Sequence, residues 1–348
     1  MGVQEKILIL NAEASNVLPF LMYYHKLGYL TFIGSSLRLP VSVFSKFNHI
    51  FYLYPNTGYL SHFGKTQLEN KKQIINFIEA IKNFLQKNNI KLLISLYEDT
   101  LIPILLFYDE LNIKPIYPSL EIVQKLHDKL IMYRVLEKIS TKSFFLPKIY
   151  SKKTTYPCVV RPSKGVGSQL VFVCKDKREI QTALYKLKKY GRVPLIQEYI
   201  SPEKKFTMNL LIDRKGKIVR SVISQKISKT SIKKILEELE VFFKSIGYFG
   251  FASPQFIISE EKIYLTEINP RLSHNFYGLD FGVNFPKAFH NTIIENKNIK
   301  KKTVFLKNFP NFWKSSKLYF KMSKDFMPVC IMLEQYLKWK LLYFPLHI

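Results

Sequence analysis

The segment Thr266-Glu267-Ile268-Asn269-Pro270-Arg271 sets a carboxylate, an amide oxygen and a guanidinium at alternate positions over five residues. On an extended strand, residues two apart project to the same face. Glu267 and Asn269 therefore project together, and Arg271 joins them if the strand persists past Pro270. Two hard oxygen ligands side by side suit Mg²⁺, which takes carboxylates completed by phosphate oxygens. An adjacent arginine suits a phosphate or acyl-phosphate, because its planar fork binds such groups in pairs of hydrogen bonds. Metal, phosphate and fixed positive charge are the parts that phosphoryl transfer needs. The same residues would also serve as an ordinary polar strand end, so the reading depends on what accompanies them.

Several pieces do. The apolar run 158–160 delivers Arg161 and then the loop Pro162-Ser163-Lys164-Gly165-Val166-Gly167-Ser168. Glycines let backbone N–H groups approach phosphates closely, and such a concavity is an anion site. Residues 171–173 read as the returning strand. Residues 195–200 form another strand, which turns polar at Gln197-Glu198-Tyr199 before Ile200. Gln255 lies one hairpin before Glu267, with 259–262 as the turn, so antiparallel pairing brings Gln255 beside Glu267.

In order and spacing these pieces resemble the ATP-grasp superfamily of ligases over roughly residues 127–294. That family has a basic residue before a Gly-rich loop, a strand-end linker that holds adenine, and paired metal ligands ending in Glu-x-Asn-Pro-Arg. Arg161 and Gln255, where many members carry lysine and an acid, are similar to the synthetase domains of the carbamoyl phosphate synthetase large subunit. Asp128-Lys129 resembles the family's element whose basic side chain reaches the nucleotide phosphates.

The resemblance implies a role for each matching position. Lys129 and Arg161 would hold phosphate oxygens of ATP, and Ser163, Gly165, Gly167 and Ser168 would form the flap over them. Glu198 and Ile200 would bracket adenine through their backbone, with Gln197 and Tyr199 beside them. Gln255, Glu267 and Asn269 would hold Mg²⁺, or Mn²⁺ in its place. Arg271 would stabilise charge on the transferred phosphoryl group, with Arg161 and Lys226, the last on a strand over 221–227, as further catalytic positions. Such a lysine is more often a solvated strand residue. Seven residues after Glu198, where members often carry a ribose-binding glutamate, stands Lys205; Glu203 is the substitute, or else a solvated turn residue.

The elements that must position these groups follow from apolar periodicity. Residues 6–10 read as a strand, 17–26 as a helix, 29–33 as a strand, 71–86 as a helix and 91–96 as a strand ending in Tyr97-Glu98-Asp99. Alternating strands and helices imply a parallel sheet with ligands at its carboxyl edge. Asn11, Glu13, Glu98 and Asp99 are then acceptor-substrate candidates, although Asp99 equally suits a helix start. Helices are expected over 177–190 and 231–246. His274 is a further candidate for the acceptor pocket. The expected fold class is α/β, α+β in the core. A parallel-sheet domain (1–122) precedes a two-lobed ATP-grasp fold (small lobe 123–198, large lobe 199–300), and a basic segment (301–348) follows.

Composition bounds the remaining possibilities. A chain of 348 residues can bury a large core in two or three lobes. Cys158, Cys174 and Cys330 have no metal-binding spacing and read as free thiols in a reducing cytoplasm. The apolar run at 7–10 is too short for a signal peptide, and no window approaches the ~20 apolar residues of a membrane-spanning helix. The formal net charge is +27, but only eight residues are arginine, so the charge is spread over lysines and accompanies no nucleic-acid motif. A nucleic-acid partner is disfavoured. The stretch 331–344 combines apolar residues with Trp339, Tyr343 and Lys340, which suits either peripheral membrane contact or docking on the core.

These observations converge on an ATP-dependent ligase with small-molecule carboxylate and amine substrates, compatible with a homodimer. A single ATP-grasp unit without a glutaminase-like Cys-His pair argues against a whole carbamoyl phosphate synthetase. The rival readings are a non-catalytic ATP-binding module, and a membrane- or polyanion-associated protein with a regulatory ATP site.

Overall fold

A computed structural model describes residues 4–14, 16–59, 69–151, 154–165, 169–224, 227–273 and 282–306. The order of elements is β1 (Lys6–Ile9), α1 (Val17–Lys26), β2 (Leu30–Ser35), β3 (Ile50–Leu53), α2 (Lys71–Asn88), β4 (Leu92–Ile94), α3 (Glu98–Leu106), α4 (Leu120–His127), α5 (Lys129–Ile139), β5 (Cys158–Pro162), β6 (Phe172–Cys174), α6 (Lys177–Lys189), β7 (Pro194–Glu198), β8 (Lys204–Ile212), β9 (Ile218–Ser224), α7 (Lys229–Ile246), β10 (Gly250–Ser259), β11 (Lys262–Asn269), α8 (Phe285–Phe289) and β12 (Lys302–Leu306). They build three sheets: β3-β2-β1-β4, β6-β5-β7, and β11-β10-β8-β9-β12.

The first sheet is wholly parallel. Its strands are short and nearly continuous in apolar residues, as strands covered on both faces must be. Helix α1 packs Val17, Phe20, Leu21 and Tyr24 on one face of it, and α2 packs Phe77, Ile78, Ile81 and Leu85 on the other. Asn70 caps α2 by accepting the Gln73 N–H. The polar turn 11–14, the end of β2 and the start of α3 all lie at the carboxyl edge of this sheet.

The second sheet is antiparallel and backed by α6 through Ile180, Ala183 and Leu187. The third is antiparallel except that β12 joins β9 in parallel. One face of this sheet (Phe206, Met208, Leu210, Ala252, Phe256, Leu265, Ile268) meets Ile232, Ile235, Leu239, Phe242 and Phe243 of α7. Ser228 caps that helix by accepting the Ser231 N–H, and Gly247, at φ 70°, ends it. The other face is apolar at one end, where Leu211, Val222 and Phe251 meet α1 and α8. Toward β11 it becomes polar.

Two boundaries differ from the sequence expectation. Residues from 123 onward were expected in the small lobe, yet Val123, Leu126, Met132, Tyr133 and Leu136 of α4 and α5 share the core of α7. Apolar periodicity shows that a helix has a buried face but not which sheet will cover it. Residues 302–306, expected in the terminal basic segment, form an edge strand of the large sheet. The stretch 331–344 lies outside the described residues. Among the described residues, no helix is long and apolar enough to cross a membrane.

Candidate active site

The β10–β11 hairpin turns on Glu260 and Glu261, both at positive φ (47° and 61°), a pair whose twist matches that of the strands. The register sets Ser259 opposite Lys262 and Ile257 opposite Tyr264, but beyond Phe256–Leu265 it slips, and Gln255 faces Glu267. Thr266 is the extra residue of a β-bulge. Before the bulge Leu265 points into the core; after it Ile268 does, so Glu267 and Asn269 turn to the open face. The displaced Thr266 carbonyl leaves the ladder and becomes an acceptor. Arg161 Nη2 donates to it at 2.6 Å and the Tyr133 hydroxyl at 2.8 Å, while Thr266 Oγ1 donates to the Gln255 carbonyl at 3.1 Å.

Arg161 is thereby fixed across three elements. Its Nε donates to Gln197 Oε1 at 3.1 Å and its Nη2 also to Tyr133 Oη at 3.2 Å. Lys129 is the first residue of α5, because the Asp128 side chain caps that helix by accepting the N–H groups of Leu130 and Ile131. Its own N–H donates to the Ser163 carbonyl at 3.0 Å. Lys129 Nζ lies 3.3 Å from Glu267 Oε2, and Arg161 Nη1 lies 3.9 Å from the same oxygen. Asn269 Nδ2 donates to Glu267 Oε1 at 3.0 Å. Burial alone would push the Glu267 carboxyl up, but Lys129, Arg161 and the Asn269 bond bring it down to about 2. Burial lowers the Lys129 ammonium from its ordinary value, and Glu267 opposes this in part.

Arg271 continues the strand end toward the N-terminal sheet. Its Nε donates to Glu98 Oε2 at 2.8 Å and its Nη1 to the Leu272 carbonyl at 3.0 Å, and its guanidinium lies 5.4 Å from the centre of the Tyr97 ring. Burial opposes the Arg271 charge, yet Glu98 and Tyr97 hold it above its ordinary value. Glu98 and Asp99 open α3 and do not end a strand. Behind them, Asn11 Nδ2 donates to Asp99 Oδ1 at 3.0 Å and Ser35 Oγ to Glu13 Oε2 at 2.6 Å. Asp99 and Glu13 are both buried, which raises both carboxyls; Glu13 and then Glu98 raise Asp99 further. These two acids are enclosed in hydrogen bonds of their own domain.

The remaining candidates are less concentrated. Ser163 is buried, its N–H donating to the Val193 carbonyl, and Gly165 follows it. Gln197 is buried and holds Arg161. The Glu198 N–H donates to the Lys148 carbonyl at 2.8 Å and the Glu198 carboxylate accepts the Lys148 N–H at 3.2 Å. Tyr199 is half-buried and Ile200 buried in the connection to β8. Glu203 is exposed, and its carboxylate accepts the Glu260 N–H at 2.7 Å, at the hairpin turn. Gly167, Ser168, Lys226 and His274 lie outside the described residues.

Four contributors escaped the sequence reading. Tyr133 sits mid-helix in an apolar pattern and reads as core. The Thr266 carbonyl has no side-chain signature. Asn209 and Ser253, on β8 and β10, are buried, yet Asn209 Nδ2 and Ser253 Oγ find no hydrogen-bond partner among the described residues. Such an orphan costs about 1–3 kcal/mol, so a pair of them on one sheet face calls for an explanation. A polar residue inside a strand that otherwise reads as apolar was the available signal.

One carboxylate with two amide oxygens near two cations fits a cation shared with phosphate oxygens. It does not resemble an all-protein metal cage, and no group of three or more His, Cys, Asp or Glu that could hold a metal ion lies among the described residues.

This arrangement, on these two sheets, resembles that of an ATP-grasp domain. Residues 126–274 match the model of the ATP-grasp domain. The D-alanine–D-alanine ligase of Thermotoga sp. (strain RQ2) is 29% identical over 170 residues, 41% of this chain and 55% of that protein. The carbamoyl phosphate synthase large chain of Clostridium botulinum (strain Loch Maree / Type A3) is 25% identical over 142 residues, 35% of this chain and 13% of that one. The chain thus spans about half the length, or less, of these curated relatives. The L-amino acid ligase from Bacillus licheniformis superposes with a TM-score of 0.62 at 14% identity, covering 85% of this chain and 74% of that one, a likeness of fold.

Proposed function

We propose that the protein is an ATP-dependent ligase that activates a substrate carboxylate as an acyl-phosphate and passes the acyl group to an amine or other nucleophile. The observation that carries this reading is the convergence of Lys129, Arg161 and Arg271 around the strand end that bears Glu267 and Asn269. Lys129 and Arg161 would bind phosphate oxygens of ATP. The Glu198 carbonyl and Ile200 N–H, with Gln197 and Tyr199 nearby, would bind the base. Ser163 and Gly165, with Gly167 and Ser168, would cover the phosphates. Gln255, Glu267 and Asn269 would hold Mg²⁺, or Mn²⁺, which lowers the repulsion between nucleotide and acceptor. The acceptor carboxylate oxygen attacks the γ-phosphorus, and the bond to the β–γ bridging oxygen breaks, releasing ADP. Arg271, with Lys226, would stabilise the equatorial charge in that step. A nucleophile then displaces phosphate.

Peptide-type ligases and a carbamoyl phosphate synthase among the similar proteins support this class of acceptor. The test is ADP release with Mg²⁺-ATP across pooled carboxylic acids, amino acids and bicarbonate, with hydroxylamine present to trap acyl-phosphate as hydroxamate. ADP and hydroxamate together in one pool support the proposal. ATP binding with neither product in any pool refutes it. The second reading, a non-catalytic nucleotide-binding module, is favoured by one observation, the engagement of Glu203 at the hairpin turn.

A further inference from the structure

The open face of the large sheet carries two polar rows. Gln255 pairs with Glu267 on one side and Thr207 on the other, so the first row is Thr207, Gln255, Glu267. Ser253 pairs with Asn269, and the register Ala252–Leu210 and Gln255–Thr207 sets Asn209 on its other flank, so the second row is Asn209, Ser253, Asn269. Directly paired residues share a face, and the rows lie one pleat repeat apart, about 7 Å. The second row is the one nearer Arg271.

This second row has two buried donors to spare. Asn209 Oδ1 accepts the Ser273 N–H at 2.7 Å, which fixes the amide so that Nδ2 is the other end. Asn209 Nδ2 and Ser253 Oγ have no partner among the described residues, and both residues are completely buried. No acid stands in the row, so it suits an oxygen acceptor and not an ammonium group. It ends in Asn269, which the proposed function places beside the phosphates, and an attacking oxygen must lie about 3–3.5 Å from the γ-phosphorus.

We infer that Asn209 and Ser253 are the acceptor subsite: Asn209 Nδ2 and Ser253 Oγ donate to the oxygens of the substrate carboxylate and hold it for attack. The inference rests on the proposed ligase reading and adds to it the residues that hold the acceptor. Both donors are buried and neutral, so the bound end of the acceptor is a carboxylate or bicarbonate.

The test uses the full chain with Ser253→Ala and Asn209→Asp; the second keeps the oxygen that receives the Ser273 N–H and replaces only the donor. With the acceptor found in the pooled screen, each variant should raise the acceptor KM about 10-fold or more while the KM for ATP stays within twofold. Unchanged acceptor KM in both variants, with wild-type turnover intact, overturns the inference and leaves the ligase reading standing. A fall in Tm without a change in acceptor KM also overturns it and makes the row structural. A wild-type protein that binds ATP but forms neither ADP nor hydroxamate overturns the ligase reading and this inference with it.

Discussion

Replacing Glu267 by glutamine tests the electrostatics on which the site depends. In the folded protein Glu267 titrates at about 2 instead of an ordinary 4.5. At about 1.4 kcal/mol per pH unit this is worth about 3 kcal/mol of stability at neutral pH. The sign is that of a depressed carboxyl: the stability is fully present above the unfolded value near 4.5 and is lost as pH falls toward 2. Glutamine keeps the size and the oxygen but leaves Lys129 and Arg161 without their anion, a loss of about 3–5 kcal/mol for buried pairs. The Glu267 side chain is 22% exposed, which places the expectation at the lower end. Urea midpoints measured at pH 7, 5, 4 and 3 should therefore fall more steeply below pH 5 in the wild type than in Glu267→Gln. At pH 7 the variant should be about 3 kcal/mol less stable with an unchanged m-value. Parallel pH profiles for the two proteins would refute the claim that Lys129 and Arg161 hold this carboxylate.

Two other perturbations separate the remaining contacts. Glu98→Gln weakens the hold on Arg271 from the N-terminal sheet; turnover should fall about 10-fold or more while calorimetric MgATP affinity stays within twofold, and equal loss of both would show that Glu98 only supports the fold. Asp99→Asn keeps the acceptor for Asn11 but removes a carboxyl whose raised value costs stability as pH climbs past 3.8, so Tm should rise by a few degrees at pH 8 and the gain should vanish near pH 4.

Much of the scaffold was legible because it is local. The stripe Val17, Leu18, Leu21, Tyr24 predicts α1 at its observed bounds, and the 231–246 stripe predicts α7 to within two residues of its start. The hairpin was legible too, since a polar four-residue stretch between two apolar runs leaves few other geometries. The bulge was not: Leu265 and Glu267 have the same parity, and only the third dimension resolves how one enters the core and the other leaves it. The Arg271–Glu98 pair, 173 residues apart, was equally hidden. Both ends were read as site candidates, but nothing in either segment names the other. Asn209 and Ser253 each looked like one polar residue in an apolar strand, and their relation exists only through the register of β8 and β10. Lys226 and His274 lie outside the described residues.

The bulge at Thr266 also fixes what kinds of sequence change this strand can absorb. The hydroxyl donates to the Gln255 carbonyl, whereas the backbone carbonyl receives both Arg161 and Tyr133. Position 266 thus works through its displaced backbone carbonyl more than through its side chain. Alanine or valine there would keep that carbonyl, while loss of Thr266 would restore an unbulged ladder, with Glu267 still opposite Gln255 on the open face but Arg161 and Tyr133 without their shared acceptor. The strand therefore tolerates substitution at 266 better than loss of the residue, and a lineage lacking it would be expected to keep the carboxylate on the open face while losing the anchor shared by Arg161 and Tyr133.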